Sequence, residues 1–206
     1  NFQARKRLLD YDDVMNQQRE VIYSLRSFAL DGGEELRGES IKMVEKAITK
    51  RVTDLMAEYA DATQWDLGLV RQELLMHYLL SVPQLEGEDT PTTVEGVVSA
   101  AVAAAHAAFA MKEESLNAVQ DEAGHGFASR LNALIMLNVL DEKWKDHLYD
   151  LDQLRAAIHY RSWGQKDPLI EYKQEAYTMF VDLMGDIHHT FAERFLRAQL
   201  VFNPQD

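Results

Sequence analysis

Apolar side chains recur every three or four residues along most of this chain, with polar residues filling the positions between. One stripe runs through Leu137, Leu140, Trp144, Leu148, Leu151, Leu154 and Ile158. A second runs through Leu169, Tyr172, Ala176, Phe180, Leu183, Ile187, Phe191 and Phe195. This is the period of amphipathic helices, and the polar stretch His-Tyr-Arg-Ser-Trp-Gly-Gln-Lys-Asp-Pro at 159–168 separates the two. Two long helices joined by a short turn predict an antiparallel hairpin. Gly164 can adopt positive φ, and Asp167 before Pro168 reads as an N-cap followed by a first helical residue. Arms of roughly 30 residues would extend about 45 Å and leave the turn as an exposed tip.

The same period organises the rest of the chain. Residues 2–30 carry Leu8, Tyr11, Met15, Ile22, Leu25 and Ala29 on one stripe, with Gln18 as its polar exception. Asp31-Gly-Gly ends that helix, and Ser40 opens a second with Ile41, Val44, Ile48, Val52, Leu55 and Tyr59 on one face. Trp65 and Val70 flank Asp66 at the spacing of a hydrophobic staple, predicting a short helix over 67–80. A loop follows over 81–93, holding Pro83 and Pro91. Thr92-Thr-Val-Glu95 fits a capping box and opens an alanine-rich helix to about 119, whose face is set by Val94, Val98, Val102, Ala105 and Phe109. Its alanines read as a surface for close helix packing. Gly124-His-Gly126 interrupts the pattern before the hairpin, and the end of the chain from Val201 is irregular. No segment sustains strand alternation, so the predicted fold is all-α.

The 206 residues, 47% of them hydrophobic, suffice for one sizeable core or two small ones. The absence of cysteine excludes disulfides and thiolate metal sites. The longest apolar run, 97–111, falls short of the roughly 18 residues of a membrane span and contains Ser99 and His106. The chain opens Asn-Phe-Gln with no initiator Met or signal peptide, as expected of part of something longer. The net charge of −13 is uneven: +1 over 1–30, −11 over 31–127 and −3 over 128–206. The acidic middle reads as a separate lobe and argues against nucleic acid as a partner.

Two blocks carry a specific resemblance. Leu137-Asn-Val-Leu-Asp-Glu-Lys-Trp-Lys-Asp-His-Leu148, followed by Leu154-Arg-Ala-Ala-Ile-His-Tyr-Arg-Ser-Trp-Gly-Gln-Lys-Asp-Pro168 and Glu171-Tyr-Lys-Gln-Glu-Ala-Tyr-Thr-Met-Phe180, resembles the two-helix finger of the SecA preprotein translocases. Arg5-Lys-Arg-Leu-Leu-Asp-Tyr-Asp-Asp-Val-Met-Asn-Gln-Gln-Arg-Glu-Val-Ile-Tyr23 is similar to the start of that family's long scaffold helix. The resemblance implies a scaffold helix at 1–30, a helical wing at 31–127 and a finger returning to the scaffold at 128–206. It implies three partners: nucleotide-binding motor domains of the same polypeptide, the SecYEG channel and an unfolded secretory preprotein. The setting would be the bacterial cytoplasm and the cytoplasmic face of the inner membrane. Arg161, Ser162, Trp163, Gly164, Gln165 and Lys166 would form the tip that contacts the translocating chain. Trp163 stands where the family commonly has tyrosine, which keeps an aromatic face and removes the phenol hydroxyl. Arg5, Arg7, Asp12, Asp13 and Arg19 would dock the scaffold helix to the motor domains.

Other chemistry is sparse. Gly32-Gly-Glu-Glu and Gly164-Gln-Lys-Asp lack the spacing and the Ser/Thr of a phosphate-binding loop, so no catalytic residue and no cofactor are expected in this chain. ATP and Mg would belong to the motor domains. Seven histidines invite a metal reading, but a di-iron bundle needs paired Glu-x-x-His motifs. Only Glu122-Ala-Gly-His125 and the weaker Asp186-Ile-His-His189 come near, so no metal site is predicted. Asp10, Asp12 and Asp13 resemble a carboxylate cluster, but their helical placement reads as a charged outer surface. A free-standing helical adaptor binding partner helices is the competing reading, and a cofactor-binding bundle enzyme a weaker third. Continuation of the reading frame upstream of Asn1 into nucleotide-binding domains would separate the first two.

Overall fold

The structure, a computed structural model, describes residues 1–59, 61–161, 164 and 167–201. Six α-helices carry it: α1 (Phe2–Asp31), α2 (Gly33–Met56), α3 (Leu67–Tyr78), α4 (Val94–Asn117), α5 (Ala128–Arg161) and α6 (Pro168–Arg197). Short 3-10 turns lie at Ala62–Gln64 and Pro83–Leu85, and among the described residues the only extended pairing is an isolated bridge between Gln120 and Gly126. The fold is all-α.

The helix boundaries follow local chemistry. At the α1–α2 junction, Gly32 and Gly33 both take φ of 70°, and the Gly32 N–H closes α1 on the Phe28 carbonyl at 2.9 Å. The chain then re-enters a helix at once, seven residues before the Ser40 start that the sequence predicts. Burial of Leu36 requires this early turn, and Glu34 and Glu35 in it suit the positive end of the helix dipole. Ser40 is therefore a buried mid-helix residue. Its hydroxyl donates to the Leu36 carbonyl at 2.8 Å and lies 2.7 Å from Asn132 Oδ1 on α5. Helix α2 also ends at Met56, leaving Tyr59 exposed beyond it. Asp66 caps α3 as expected, accepting from the Leu69 N–H at 2.9 Å.

Helix α4 departs from expectation by one residue at its start. Thr93, not Thr92, is the N-cap and accepts from the Gly96 N–H at 3.0 Å. A Cβ on Gly96 would lie 2.9 Å from Pro91, so the turn into this helix has no room for a side chain there. The fully buried face is Val97, Ala101, Ala105 and Phe109, while Val94, Val98 and Val102 flank it half-buried. In length and composition α4 is apolar enough to cross a bilayer, more than the run 97–111, broken by Ser99 and His106, indicates. Here its buried face packs into the common core.

That core crosses all three stretches of the chain. Ile22 and Ala29 of α1, Met43, Ile48 and Val52 of α2, Leu74 and Tyr78 of α3, and Phe109 of α4 join Trp144 of α5 and Phe191 and Phe195 of α6 in one apolar cluster. A second, smaller cluster lies toward the hairpin turn: Tyr11 of α1, Leu151, Leu154 and Ile158 of α5, and Tyr172 and Ala176 of α6. Helix α5 has 34 residues, about 50 Å at 1.5 Å per residue. Its proximal half is anchored in the main core, and its distal half is braced by α1. The predicted α1 stripe holds from Tyr11 onward, but Leu8 is 55% exposed, because Tyr11 is the first α1 residue buried against the hairpin.

Candidate finger and scaffold seam

Helix α1 is tied to both arms of the hairpin by polar contacts within the apolar seam. Gln18, the exception on the α1 stripe, is buried and uses both ends of its amide. Its Nε2 donates to the Ala176 carbonyl of α6 at 3.0 Å, and its Oε1 lies 2.7 Å from His147 Nε2 of α5. His147 therefore donates as the neutral Nε2–H tautomer, and its burial lowers its pKa and favours that form. Toward the tip, Arg155 donates to Asp12 at 3.0 Å and lies 5.1 Å from the centre of the Tyr11 ring, which meets Tyr172 edge-on at 5.0 Å. Toward the base, Arg26 grips Asp141 with two hydrogen bonds of 2.7 and 3.2 Å. These contacts fix the axial register of α1 against α5 and α6.

The residues proposed from sequence for motor docking divide along this seam. Arg5, Arg7 and Asp13 are exposed, and Asp13 lines a groove with Val14, Tyr177 and Phe180 between α1 and α6. Asp12 is half-buried against Arg155 and so faces the finger. Arg19 is half-buried, with Nη1 donating to Asn16 at 3.4 Å and Nη2 lying 3.8 Å from the Met15 sulfur.

At the tip, Arg161 is the last residue of α5 and Gly164 follows, its N–H donating to the Arg161 carbonyl at 3.4 Å. Arg161 reaches across the neck of the hairpin to Glu175 at 2.6 Å and Glu171 at 3.6 Å. Asp167 caps α6 as predicted, accepting from the Leu169 N–H at 3.0 Å. Ser162, Trp163, Gln165 and Lys166 lie outside the described residues. Beside the turn stands an exposed aromatic. Tyr160 is 83% exposed, and further down the finger Tyr177 is also exposed. Both fall off the apolar stripe, which is the signal that marks them.

The histidines also resolve. His106 pairs with Glu45 at 2.5 Å and His125 with Asp121 at 3.5 Å, both near the surface. Burial, with the Lys46 cation nearby, pushes His188 down to about 4. His77 and His189 meet beside Glu193, where α3 crosses the end of α6.

A long helix braced along a two-helix hairpin, with a bundle packed at its base, defines a helical scaffold that carries a projecting finger. A family model described as the SecA wing and scaffold domain matches residues 1–199, and the chain belongs to that family. Among curated relatives, protein translocase subunit SecA 1 of Mycolicibacterium smegmatis is 36% identical over 213 residues, covering 100% of this chain and 22% of the relative. Protein translocase subunit SecA of Pelobacter propionicus is 34% identical, covering 97% of this chain and 21% of the relative. The SecA of Nocardia farcinica is 37% identical, with coverage of 91% and 20%. The chain thus spans about a fifth of the length of these relatives.

Proposed function

We propose that this chain is the mechanical output of a SecA translocase. It would couple nucleotide-driven motion of motor domains elsewhere in the polypeptide to movement of a secretory preprotein through the SecYEG channel. The observation that supports this most is the seam. Helix α1 is bonded to α5 and α6 at Asp12, Gln18 and Arg26, so displacement of α1 has to carry the finger with it. The exposed Arg5, Arg7 and Asp13, together with Arg19, would meet the motor domains, with ATP and Mg bound there. Asp12 would act from inside the seam. The tip, Arg161 to Lys166, would contact the preprotein, with Tyr160 extending its aromatic surface. The protein would work in the bacterial cytoplasm and at the cytoplasmic face of the inner membrane.

The test is Trp163→Ala in the full-length protein. Translocation should fall while ATP binding survives, because the tip is the end of the hairpin farthest from the main core and alanine removes most of the apolar area available to a passing chain. Trp163→Tyr should retain much of the activity. In the 206-residue chain the melting temperature of Trp163→Ala should stay nearly unchanged, because position 163 lies between the apolar stripes that stop at Ile158 and restart at Leu169, and substitutions off the core usually remain within about 0.5 kcal/mol. Unimpaired translocation by a folded Trp163→Ala protein would remove the tip from the mechanism.

A further inference from the structure

We propose that His77, His189 and Glu193 form a binding site for a divalent transition metal, with zinc the ion that best suits the donor set. The last turn of α3 supplies His77, and α6 supplies His189 and Glu193 one turn apart. His77 Nδ1 lies 3.3 Å and His189 Nε2 3.1 Å from Glu193 Oε2, and all three donor atoms fall within 4.8 Å of one another. Zinc bonds of about 2.0–2.1 Å set ligand atoms about 3.3 Å apart on a tetrahedron. Two of the three edges are already close to that length, and the third is no longer than 4.8 Å. Each side chain is about one-third exposed, which leaves the fourth position open to water.

The far side of each imidazole is also provided for. His189 Nδ1 lies 2.6 Å from the Tyr78 hydroxyl, and His77 Nε2 lies 3.4 Å from Glu73. With Nε2 of His189 and Nδ1 of His77 on the metal, the opposite nitrogens carry protons and donate to Tyr78 and Glu73. Outer hydrogen bonds of this kind fix the tautomer and aim the ring. Arg51 Nη2 lies 3.3 Å from His77 Nε2 and donates to it in the metal-free chain, so metal at Nδ1 requires Arg51 to give up that contact and keep its pairing with Glu73, while Arg197 is directed to the Met76 carbonyl at 2.7 Å. Glu193 thus supplies a carboxylate that a cation can claim. The set does not follow a Glu-x-x-His pattern: its carboxylate follows His189 by four residues and lies 116 residues from His77. A bound ion would pin α3 to the end of α6, holding the segment 31–127 to the returning finger helix.

The test uses the 206-residue chain stripped of metal with chelator, titrated with Co²⁺ and then Zn²⁺. One equivalent of Co²⁺ should develop the intense visible bands of a low-coordinate site, and Zn²⁺ should abolish them. Zn²⁺ should also raise the melting temperature, since a ligand that binds only the folded state stabilises it. Glu193→Gln and His77→Gln should each weaken binding by more than the roughly 10–100-fold typical of losing an outer hydrogen-bond partner. His125→Gln should bind as the unsubstituted chain does. A readout that needs no variant is the shift of the His77 and His189 ring resonances on adding Zn²⁺. Absence of the cobalt bands, ring shifts confined to His106 or His125, or equal affinity in a folded Glu193→Gln chain would overturn the proposal.

Discussion

Phe195→Ala should cost about 3–5 kcal/mol of folding stability, the usual range for emptying a buried aromatic site. Phe195 is fully buried, with its ring centre 4.8 Å from that of Phe109 on α4 and 5.8 Å from that of Phe191 one turn earlier on α6. It joins the end of the finger to the segment between α1 and α5. Alanine there opens a cavity walled by both parts, and neither can close it without moving against the other. The chain should still unfold in one transition at a lower urea midpoint, because α2, α3 and α4 share their core with α5 and α6. Two separated transitions, or a loss below 1 kcal/mol, would show that the acidic segment folds on a core of its own.

Ile22→Ala should cost roughly 2–5 kcal/mol in the same measurement. Ile22 is 0% exposed and sits on α1 between Gln18 and Arg26, the two residues that tie α1 to the base of the hairpin. Full burial of such a side chain contributes roughly 1.5–3 kcal/mol, and the cavity left behind adds to the loss. Leu8→Ala provides the contrast. Leu8 shares the α1 stripe in sequence but is 55% exposed, so its truncation should change stability by no more than about 0.5 kcal/mol. Equal losses at the two positions, or none at Ile22, would mean that α1 does not rest on the finger as described.

Much of this architecture was legible in the sequence because the signals are local. Asp167-Pro168 announces the start of α6 by capping chemistry alone, and Trp144 lies on the stripe and in the core. What escaped depends on distant partners. Gly32 and Gly33 read as the end of one helix with the next opening at Ser40, yet the turn that buries Leu36 already belongs to α2. In α4 the alanines are equally apolar on every side, so periodicity does not select between the Val97 face and the Val98 face; packing does. Gln18 reads as a flaw in the stripe until His147, 129 residues away, supplies its partner. The candidate site divides in the same way. The two helices of the hairpin follow from spacing, and so does the exposure of Tyr160, whereas the inward aim of Asp12 emerges only when α1 is laid along the finger.

The central claim is that the end of this hairpin touches the polypeptide being moved. Its most direct test places the photo-crosslinking residue p-benzoylphenylalanine at position 163 of the full-length protein during translocation of a stalled preprotein. An ATP-dependent adduct with the preprotein is expected from position 163, and none from the exposed position 125 in the α4–α5 connection. A translocating protein that gives no adduct at 163, or equal adducts at 163 and 125, would contradict it.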